Sequence, residues 1–458
     1  MKRTIGIVGG GFSGCLVAYH LLCNSPNLKL IIFNKTAQIG PGIAYQPVDD
    51  VLLLNVRAGK MSALPDQPNH FLDWLIQQSQ FKKIKREILA DSFVSRTYYG
   101  QYLSHIWSSL LQQYPKSIQV VAEEVTAIAH AKEVFTITAK DKTFKTNYCV
   151  LATGNEQPKN LTLRNEEAYT NKHYFQNPWM INPSLISNDK PILIIGTGLT
   201  MVDTVQLLRK NNKKGAIHCI SPHGFNILPH SNEIGNYKGI LTTVNLSERL
   251  AGLLTQFNQA RKELKKNGET VESLVNFLRP KTGSLWQSFT TDEKSFFLRH
   301  LRHKWGVARH RVPLSSYQEI SKELDENRLI IKAGKIKEIK ASKDGFTLTY
   351  FDAHLNNEVT LSISSIINCT GPASDVTKMT DGLLANLFHN EFIEPDPLFL
   401  GIRASVNNFT VINNRNIKRF YALGTLLKGE LWESTAVNEL REQAKQLALT
   451  IQKELKNE

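Results

Sequence analysis

Two glycine-rich turns constrain the fold of this chain more than any other feature of its sequence. Residues 5–14 read IGIVGGGFSG and residues 191–200 read PILIIGTGLT, so each turn follows a short apolar run. A helical pattern of apolar residues, including Leu16, Val17 and Leu21, follows the first turn. A buried strand that passes through a glycine turn into a helix is typical of doubly wound parallel sheets. The sequence therefore predicts two such units.

The first turn has the spacing of a dinucleotide-binding loop. Gly9 suits a tight bend, Gly11 the close approach of a pyrophosphate, and Gly14 the close packing of helix on strand. Phe12 and Ser13 lie between them, where the N–H groups and dipole of a helix N-terminus favour phosphate. We predict that all five residues contact a dinucleotide.

The strand after each turn ends with the same spacing. Asn34 ends the strand Leu28–Phe33, and Ser221 ends the strand Ala216–Ile220, each 25 residues beyond the first glycine of its turn. An acidic residue normally binds the ribose hydroxyls at this position. Asn34 lacks the charge but keeps an amide that forms hydrogen bonds. We assign Asn34 and its neighbour Lys35 to cofactor binding.

Each unit also has β-rich stretches downstream and a terminal Thr-Gly, in YCVLATG (148–154) and IINCTGP (366–372). We predict an α/β fold with two Rossmann-like dinucleotide-binding domains, each with an antiparallel β excursion, and a helical insertion around 240–315. The alternative is that the second turn is an ordinary helix-packing loop. The predicted β-rich stretches are Ile118–Ile128, Val134–Thr138, Leu329–Ile339 and Phe346–Phe351. The predicted domains are 1–186 (first dinucleotide unit), 187–372 (second unit) and 373–458 (C-terminal part of the first unit).

Composition narrows the classes of partner. The 55 Lys and Arg exceed the 41 Asp and Glu by 14, which favours anionic ligands. These basic residues are scattered, so we expect small phosphorylated or acidic molecules rather than nucleic acid. No apolar run approaches the roughly 18 residues of a membrane span. Five isolated cysteines without C-x-x-C argue against a dithiol or a metal site and suit a cytoplasmic protein. The N-terminus resembles an export signal, but Leu22 stands where cleavage needs a small residue.

Two dinucleotide units suggest a tightly held flavin and a nicotinamide that reduces it. Ser221 has no carboxylate to repel a 2′-phosphate, so NADPH is favoured over NADH. The predicted contacts of the second nucleotide are Gly196, Gly198, Thr200, Ser221, His223 and Gly371.

A family resemblance covers about Thr4 to Ala444. It is carried by GPGIAY (40–45), LLLNVRAGKMSALPDQPNHFLDWL (52–75), FVSRTYYGQYL (93–103), GTGLTMVD (196–203), RHKWGVARHRVP (302–313), NCTGP (368–372) and LWESTAVNELREQA (431–444). These stretches resemble the FAD-NAD(P)-binding proteins, a branch of the two-dinucleotide-domain flavoproteins. The resemblance implies FAD in the first unit, NAD(P)H in the second, and kinship with flavin-dependent N-hydroxylating monooxygenases. The chain departs from the pattern at Asn34 and at SPHG (221–224).

Several residues outside the turns are candidates for contact with the flavin. Asn55 could reach the ring edge, or it could cap the next turn. A helix predicted from Trp432 to Ala448 would point its N-terminus at the flavin, or it could be an amphipathic closing helix with a capping Ser. The full set of additional flavin candidates is Asn55, Met61, Gly154, Gly424, Trp432, Ser434 and Thr435.

The densest positive charge comprises Arg299, His300, Arg302, His303, Lys304, Arg309, His310 and Arg311. It is either a solvated face or an anion pocket for the cofactor phosphate or the substrate. Lys60 and Arg441 are further candidates for a carboxylate-bearing substrate. We assign catalytic or substrate-binding roles to Asn55, Lys60, Arg309 and Arg441.

The favoured hypothesis is a monooxygenase in which NAD(P)H reduces FAD and O₂ then hydroxylates the nitrogen of a small amine or amino acid through a peroxyflavin. The alternatives are a plain reductase or oxidase and a non-catalytic nucleotide sensor. The sequence leaves the substrate and the oligomeric state open.

Overall fold

Two sheets, one parallel and one mixed, carry the two glycine turns in the computed structural model, which describes residues 3–46, 49–163, 166–231 and 235–457. The strands are β1 (Thr4–Val8), β2 (Lys29–Phe33), β3 (Ile118–Val121), β4 (Val125–Ala131), β5 (Val134–Ala139), β6 (Lys142–Thr146), β7 (Tyr148–Leu151), β8 (Tyr174–Phe175), β9 (Ile192–Ile195), β10 (Ile217–Ser221), β11 (Leu228–Pro229), β12 (Arg311–Val312), β13 (Leu329–Ser342), β14 (Gly345–Asp352), β15 (Asn357–Ile363), β16 (Ser365–Asn368) and β17 (Phe420–Ala422). The α-helices are α1 (Phe12–Asn24), α2 (His70–Ile76), α3 (Arg86–Asp91), α4 (Arg96–Gln113), α5 (Leu199–Lys210), α6 (Leu250–Lys266), α7 (Glu272–Leu278), α8 (Thr282–Ser288), α9 (Thr291–His300), α10 (Arg302–Arg309), α11 (Leu314–Asp325), α12 (Gly382–His389), α13 (Lys428–Leu431) and α14 (Val437–Lys456).

The first sheet is parallel, with the order β17-β7-β1-β2-β3. Its strands are short apolar runs because both faces are covered, and Ile5, Ile7 and Val150 are fully buried. Helices α1 and α14 pack against each other in the same core. The antiparallel excursion of this module, β4-β5-β6, is a separate three-stranded sheet. The predicted stretch Ile118–Ile128 is therefore wrong as one element, because β3 and β4 belong to different sheets.

The second sheet has the order β15-β14-β13-β10-β9-β16-β8. Strand β13 pairs in parallel with β10 up to Ala333 and then antiparallel with β14 from Gly334 onward. The antiparallel excursion of the second module is thus continuous with its parallel sheet. The predicted class, two Rossmann-like units with antiparallel excursions, is confirmed.

The boundary predicted at residue 186 is too late. Tyr174 and Phe175 form β8, which pairs with β16 in the second sheet. The chain therefore enters the second module before residue 174. Helices α6 to α10 lie within the predicted insertion, and β17 returns to the first sheet beside β7.

The predicted helix from Trp432 to Ala448 is also wrong at its start. Trp432 has a φ of 58°, a left-handed conformation that ends α13, and α14 begins only at Val437. Among the described residues, no helix is both long enough and apolar enough to cross a membrane.

Candidate functional site

The two glycine turns have the same local geometry. Gly9 has a φ of 109° and Gly196 a φ of 112°, which L-residues with a side chain rarely adopt. A Cβ on Gly9 would lie 2.1 Å from the carbonyl oxygen of Ala152, and one on Gly196 would lie 2.5 Å from that of Cys369. Each turn therefore packs on the strand end that precedes its Thr-Gly, as the repeated sequence pattern implies.

The third position of the turn differs between the modules. A Cβ on Gly14 would lie 1.9 Å from the Gly9 carbonyl oxygen, so glycine is required where α1 meets its strand. In the second module Met201 takes this place, and its side chain is fully buried in the core. The helix-to-sheet contact there is made by a side chain instead of by backbone.

Both turns leave space and donors for a ligand. Gly11 caps α1 and Gly198 caps α5, and because glycine has no side chain, the first N–H groups of each helix donate to no cap side chain. A Cβ on Gly154, Gly198 or Gly371 would meet nothing within 4 Å. The hydroxyl of Thr153 is buried and has no hydrogen-bond partner among the described residues. Open space beside helix N-termini fits the pyrophosphate of a dinucleotide in each module.

The C-terminal strand completes the first site. Gly424 follows β17, and a Cβ there would lie 3.6 Å from the Ser13 hydroxyl. The next residue, Thr425, donates a hydrogen bond from its hydroxyl to the carbonyl of Gly154. Three predicted cofactor contacts, Ser13, Gly154 and Gly424, therefore meet at one edge of the first sheet. Thr425 joins two of the loops at this edge.

The side-chain amide of Asn34 forms hydrogen bonds within its own turn. Its Oδ1 accepts from the Gly10 N–H at 3.2 Å, and its Nδ2 donates to the carbonyls of Thr36 at 3.0 Å and Gln38 at 2.9 Å. Lys35 forms an exposed ion pair with Glu124 at 2.8 Å. The structure thus gives the amide of Asn34 a part in shaping the loop beside the glycine turn.

Two other cofactor candidates are core residues. Phe12 is buried, with its ring centroid 6.4 Å from that of Tyr99, and Met61 is 3% exposed in the same core. A direct flavin contact from the Met61 side chain is therefore a poor assignment, because that side chain packs in the interior.

Ser434 acts on the chain instead of facing a ligand. Its hydroxyl is fully buried, donates to the Gly424 carbonyl and accepts from Gln443 Nε2 at 3.0 Å. Gln443 in turn accepts from the Gly424 N–H at 2.9 Å. The prediction that Ser434 binds the cofactor is corrected: it shapes the Gly424 loop from behind.

The other two flavin candidates from the LWEST stretch, Thr435 and Trp432, lie in different surroundings. Thr435 is exposed. Trp432 stacks on Trp286 of the helical insertion, with ring centroids 4.9 Å apart. Trp432 therefore joins the insertion to the C-terminal segment.

At the second nucleotide site, Ser221 is hydrogen-bonded to Thr197 at 3.0 Å and accepts from the Gly224 N–H at 3.0 Å. Thr200 lies in the first turn of α5, where its carbonyl accepts from the Thr204 hydroxyl. The His223 ring lies beside that of His303, with centroids 4.6 Å apart.

The insertion thus brings part of the basic cluster to the end of β10. His303 accompanies Arg302, whose Nη2 is 3.3 Å from His303 Nε2. Burial, Arg302 and His223 together lower the pKa of His303 to about 4. No described carboxylate forms an ion pair with Arg302, His303 or His223. Because His303 is therefore uncharged at neutral pH, the positive charge that this group offers to an anion is that of Arg302.

The rest of the basic cluster is divided among different neighbours. Arg299, His300 and Lys304 are exposed, as expected of a solvated face. Arg309 lies 3.6 Å from Glu433 and 4.0 Å from Glu439, and its Nε is buried without a partner among the described residues. The single anion pocket considered from the sequence is therefore incorrect for the cluster as a whole.

The other catalytic candidates do not lie together at one site. Lys60 is exposed. Arg441 donates from Nη1 to the backbone carbonyl of Ser62 at 2.7 Å, so it holds the loop after Lys60. Asn55 is half-buried, and its carbonyl oxygen is 3.0 Å from Nε2 of His230. The substrate roles predicted for Lys60 and Arg441 receive no support from this placement.

Sequence reasoning missed the contacts that join the modules. Arg96 on α4 forms a two-point ion pair with Asp203 on α5, at 2.8 and 3.0 Å, and donates from Nε to the Leu53 carbonyl at 3.0 Å. Both charged side chains are nearly buried, at 12% and 13% exposure. Each lies in a family-specific stretch, which was the available signal, but nothing in the sequence paired them.

Comparison with known proteins agrees with this geometry. The family described as FAD-NAD(P)-binding matches residues 6–156. The predicted resemblance is confirmed at this level, as are FAD and NAD(P) as the cofactor classes. The uncharacterized protein YdhS of Escherichia coli (strain K12) is 24% identical over 216 residues, covering 44% of this chain but only 38% of that protein's length.

Solved structures share the fold of the whole chain, beyond the residues that the family matches. The ornithine N-hydroxylase of Kutzneria sp. 744, solved with reduced FAD, NADP⁺ and L-ornithine, has a TM-score of 0.67 and 13% identity, over 99% of this chain and 100% of that one. The ornithine hydroxylase of Pseudomonas aeruginosa has a TM-score of 0.68 and 15% identity over the same shares. The bacillithiol disulfide reductase of Staphylococcus aureus has a TM-score of 0.59 and 12% identity, over 99% of each chain. The fold is therefore that of FAD- and NAD(P)-dependent oxidoreductases.

Proposed function

We propose that this protein is an FAD-dependent oxidoreductase, reduced by NAD(P)H, that hydroxylates the nitrogen of a small amine or amino acid. The observation that carries the proposal is the pair of matching glycine turns, one in each module, within a fold that ornithine hydroxylases share over their full length. Beside each turn lies a glycine, Gly154 or Gly371, at which an added Cβ would meet no atom within 4 Å. Bound FAD supplies the electron transfer and the oxygen chemistry. The polypeptide supplies binding, orientation and charge.

The first site would hold FAD through the turn Gly9–Gly14 and the loop at Gly424. The second would hold the nicotinamide nucleotide at Gly196, Gly198 and the end of β10. Arg302, His303 and His223 lie at that strand end, where the adenine ribose of a dinucleotide lies in this fold. The positive charge of Arg302 favours NADPH over NADH, because only NADPH carries a 2′-phosphate.

The candidates for substrate recognition lie between the insertion and the C-terminal segment. Burial, the positive charge of Arg302 and the negative charge of Glu433 all act on Lys428, with a net lowering of its pKa. Arg309 and Arg279 lie in the same region, facing Glu433 and Glu439. The excess of cations over carboxylates there supports an anionic or amino-acid-like substrate.

A reductase or oxidase without oxygen transfer is the second candidate, favoured by the likeness to a disulfide reductase. A redox-active dithiol in this chain finds no support. Cys15, Cys149, Cys219 and Cys369 are buried, and burial raises the pKa of Cys15 and Cys369 to about 12. Buried protonated thiols are poor nucleophiles.

The visible spectrum of the purified protein, before and after anaerobic NADPH, is the first test. Flavin absorbance that NADPH bleaches supports the proposal, and a protein that stays colourless with excess FAD overturns it. Aerobic turnover with ornithine, lysine and simple amines is the second test. NADPH consumption that is coupled to a hydroxylamine product supports N-hydroxylation, whereas peroxide release that is independent of the amine supports the reductase or oxidase.

A further inference from the structure

A histidine of the second module lies within hydrogen-bond distance of the backbone of the first. His230 follows β11, and its Nε2 lies 3.0 Å from the carbonyl oxygen of Asn55. Its Nδ1 lies 2.6 Å from Oε1 of Glu272, the first residue of α7. The ring also stacks on Phe93 of the first module, with centroids 5.2 Å apart and planes 25° from parallel. The imidazole is therefore held on two edges and one face.

Both hydrogen-bond partners of the ring are acceptors. A backbone carbonyl has no proton to donate, and an ionised carboxylate has none either. A neutral imidazole carries one N–H, so it can donate only one of these two bonds. Both bonds form together only when His230 is an imidazolium.

The surroundings support an ionised Glu272. Its side chain is 3% exposed, its Oε2 accepts from the Ser231 N–H at 2.7 Å, and Arg311 Nη1 is 3.7 Å away. Burial alone would raise the pKa of Glu272, but the hydrogen bonds from His230 and Ser231 outweigh it and lower that pKa. A buried carboxylate of this kind stabilises a cation on the ring beside it.

Other charges near the ring leave this assignment intact. Arg57 lies over the Phe93 ring at 5.4 Å and donates to the Ser231 carbonyl at 3.1 Å. Its charge is partly balanced by Asp91 at 3.6 Å. Glu272 is thus the only carboxylate among the described residues that contacts the His230 ring directly.

The segment held by His230 contains Asn55, which the sequence predicts as a flavin contact or as the cap of a turn. Arg96 holds the carbonyl of Leu53 from α4, and His230 holds the carbonyl two residues later from the nicotinamide module. The backbone between Leu53 and Asn55 is therefore tied to both modules. A peptide group so held keeps its orientation when the modules move slightly against each other.

We propose that His230 is a positioning residue: as an imidazolium paired with Glu272, it fixes the backbone at Asn55 relative to the nicotinamide module. On the function proposed above, this sets the alignment of the two bound nucleotides for hydride transfer. Hydride transfer depends steeply on such alignment, so loss of the contact between His230 and the Asn55 carbonyl should slow flavin reduction more than it weakens NADPH binding.

Glu272→Gln is the decisive variant. The amide can still accept from Nδ1, but it no longer stabilises a positive charge, so the neutral form of the His230 ring is favoured at high pH. A neutral ring has one proton for two acceptors, and the Asn55 bond is lost in part. The exposed Glu269, on the segment before α7, provides a matched control in Glu269→Gln.

Two measurements test the proposal. The ¹⁵N shifts of His230, assigned with His230→Gln, should report an imidazolium at pH 8 in the parent protein and a neutral ring in Glu272→Gln. The anaerobic rate of flavin reduction at saturating NADPH should be about tenfold lower in Glu272→Gln at pH 8 and should recover by pH 5.5. The parent and Glu269→Gln should show no such recovery.

A neutral His230 in the parent at pH 8 overturns the proposal, as does a Glu272→Gln rate that follows the parent at every pH. Equal FAD content and equal thermal midpoints at pH 6 show that the variant folds. If the parent protein is not reduced by NADPH at all, the proposed function fails, while the ¹⁵N shifts still judge the state of His230.

Discussion

Gly198→Val separates nucleotide binding from folding at the second turn. Gly198 has a φ of −87°, which any L-residue adopts, and its added Cβ meets no protein atom within 4 Å. The cost to the free energy of unfolding should be about 1 kcal/mol, because valine is a poorer helix N-cap than glycine. The new side chain instead fills the space in which a pyrophosphate would approach α5.

The expected loss of NADPH affinity follows from the donors that the side chain would shield. Hydrogen bonds to a charged group contribute about 1.5 to 3 kcal/mol each, and each 1.4 kcal/mol is tenfold in Kd. Loss of one such bond predicts a Kd for NADPH about 10- to 100-fold weaker.

Gly196→Ala, by contrast, should lower the free energy of unfolding. Its φ of 112° and the 2.5 Å approach to the Cys369 carbonyl oxygen cost the fold itself. We expect about 2 to 4 kcal/mol of destabilisation, from left-handed strain of about 1 to 2 kcal/mol together with steric overlap.

Anaerobic stopped-flow reduction of the flavin, at a series of NADPH concentrations, gives the Kd for NADPH. FAD content and thermal unfolding are the controls, because Gly198 lies outside the first module. A flavin-loaded, stable Gly198→Val protein with the parent Kd would refute the assignment of the second turn to the nicotinamide nucleotide.

Three further variants test other parts of the site. Arg302→Gln should weaken NADPH binding about 10- to 100-fold by the loss of charge-assisted bonds and leave NADH binding unchanged; an equal effect on both nucleotides in steady-state kcat/KM would contradict the phosphate assignment. Ser434→Ala leaves buried polar groups unpaired, so it should lower the free energy of unfolding by about 1 to 3 kcal/mol in chemical denaturation. It should also speed the loss of FAD on gel filtration, and FAD retention equal to that of the parent would exclude a role in shaping the Gly424 loop. Arg96→Leu leaves the Asp203 carboxylate nearly buried without its partner and should cost about 3 to 5 kcal/mol, whereas a thermal midpoint equal to the parent's would show that the pair contributes little.

Much of the fold was readable from consecutive residues. The strands predicted at Leu28–Phe33 and Ala216–Ile220 lie within one residue of the bounds that the structure shows at each end. A short apolar run, a glycine that must adopt a positive φ and an amphipathic helix are local properties. Their repetition at equal spacing indicated the duplicated module before any tertiary contact was known.

The errors have physical causes that local pattern does not contain. The helical pattern ran on through residues 432 to 436, but Trp432 takes a left-handed φ while it stacks on Trp286. Ser434 reads as a cap or a ligand residue, yet packing buries it against Gly424 and Gln443. In each case a partner distant in sequence outweighed the local preference.

The sequence by itself determined two phosphate-sized turns, because backbone conformation there depends on which residues are glycine. Only the tertiary structure decided how the modules are joined. Asn55 meets His230 across 175 residues, and Arg96 meets Asp203 across 107. Such pairs arise from the packing of whole domains. The type of a side chain limits which groups it can bind, but it does not determine which distant group lies beside it in the fold.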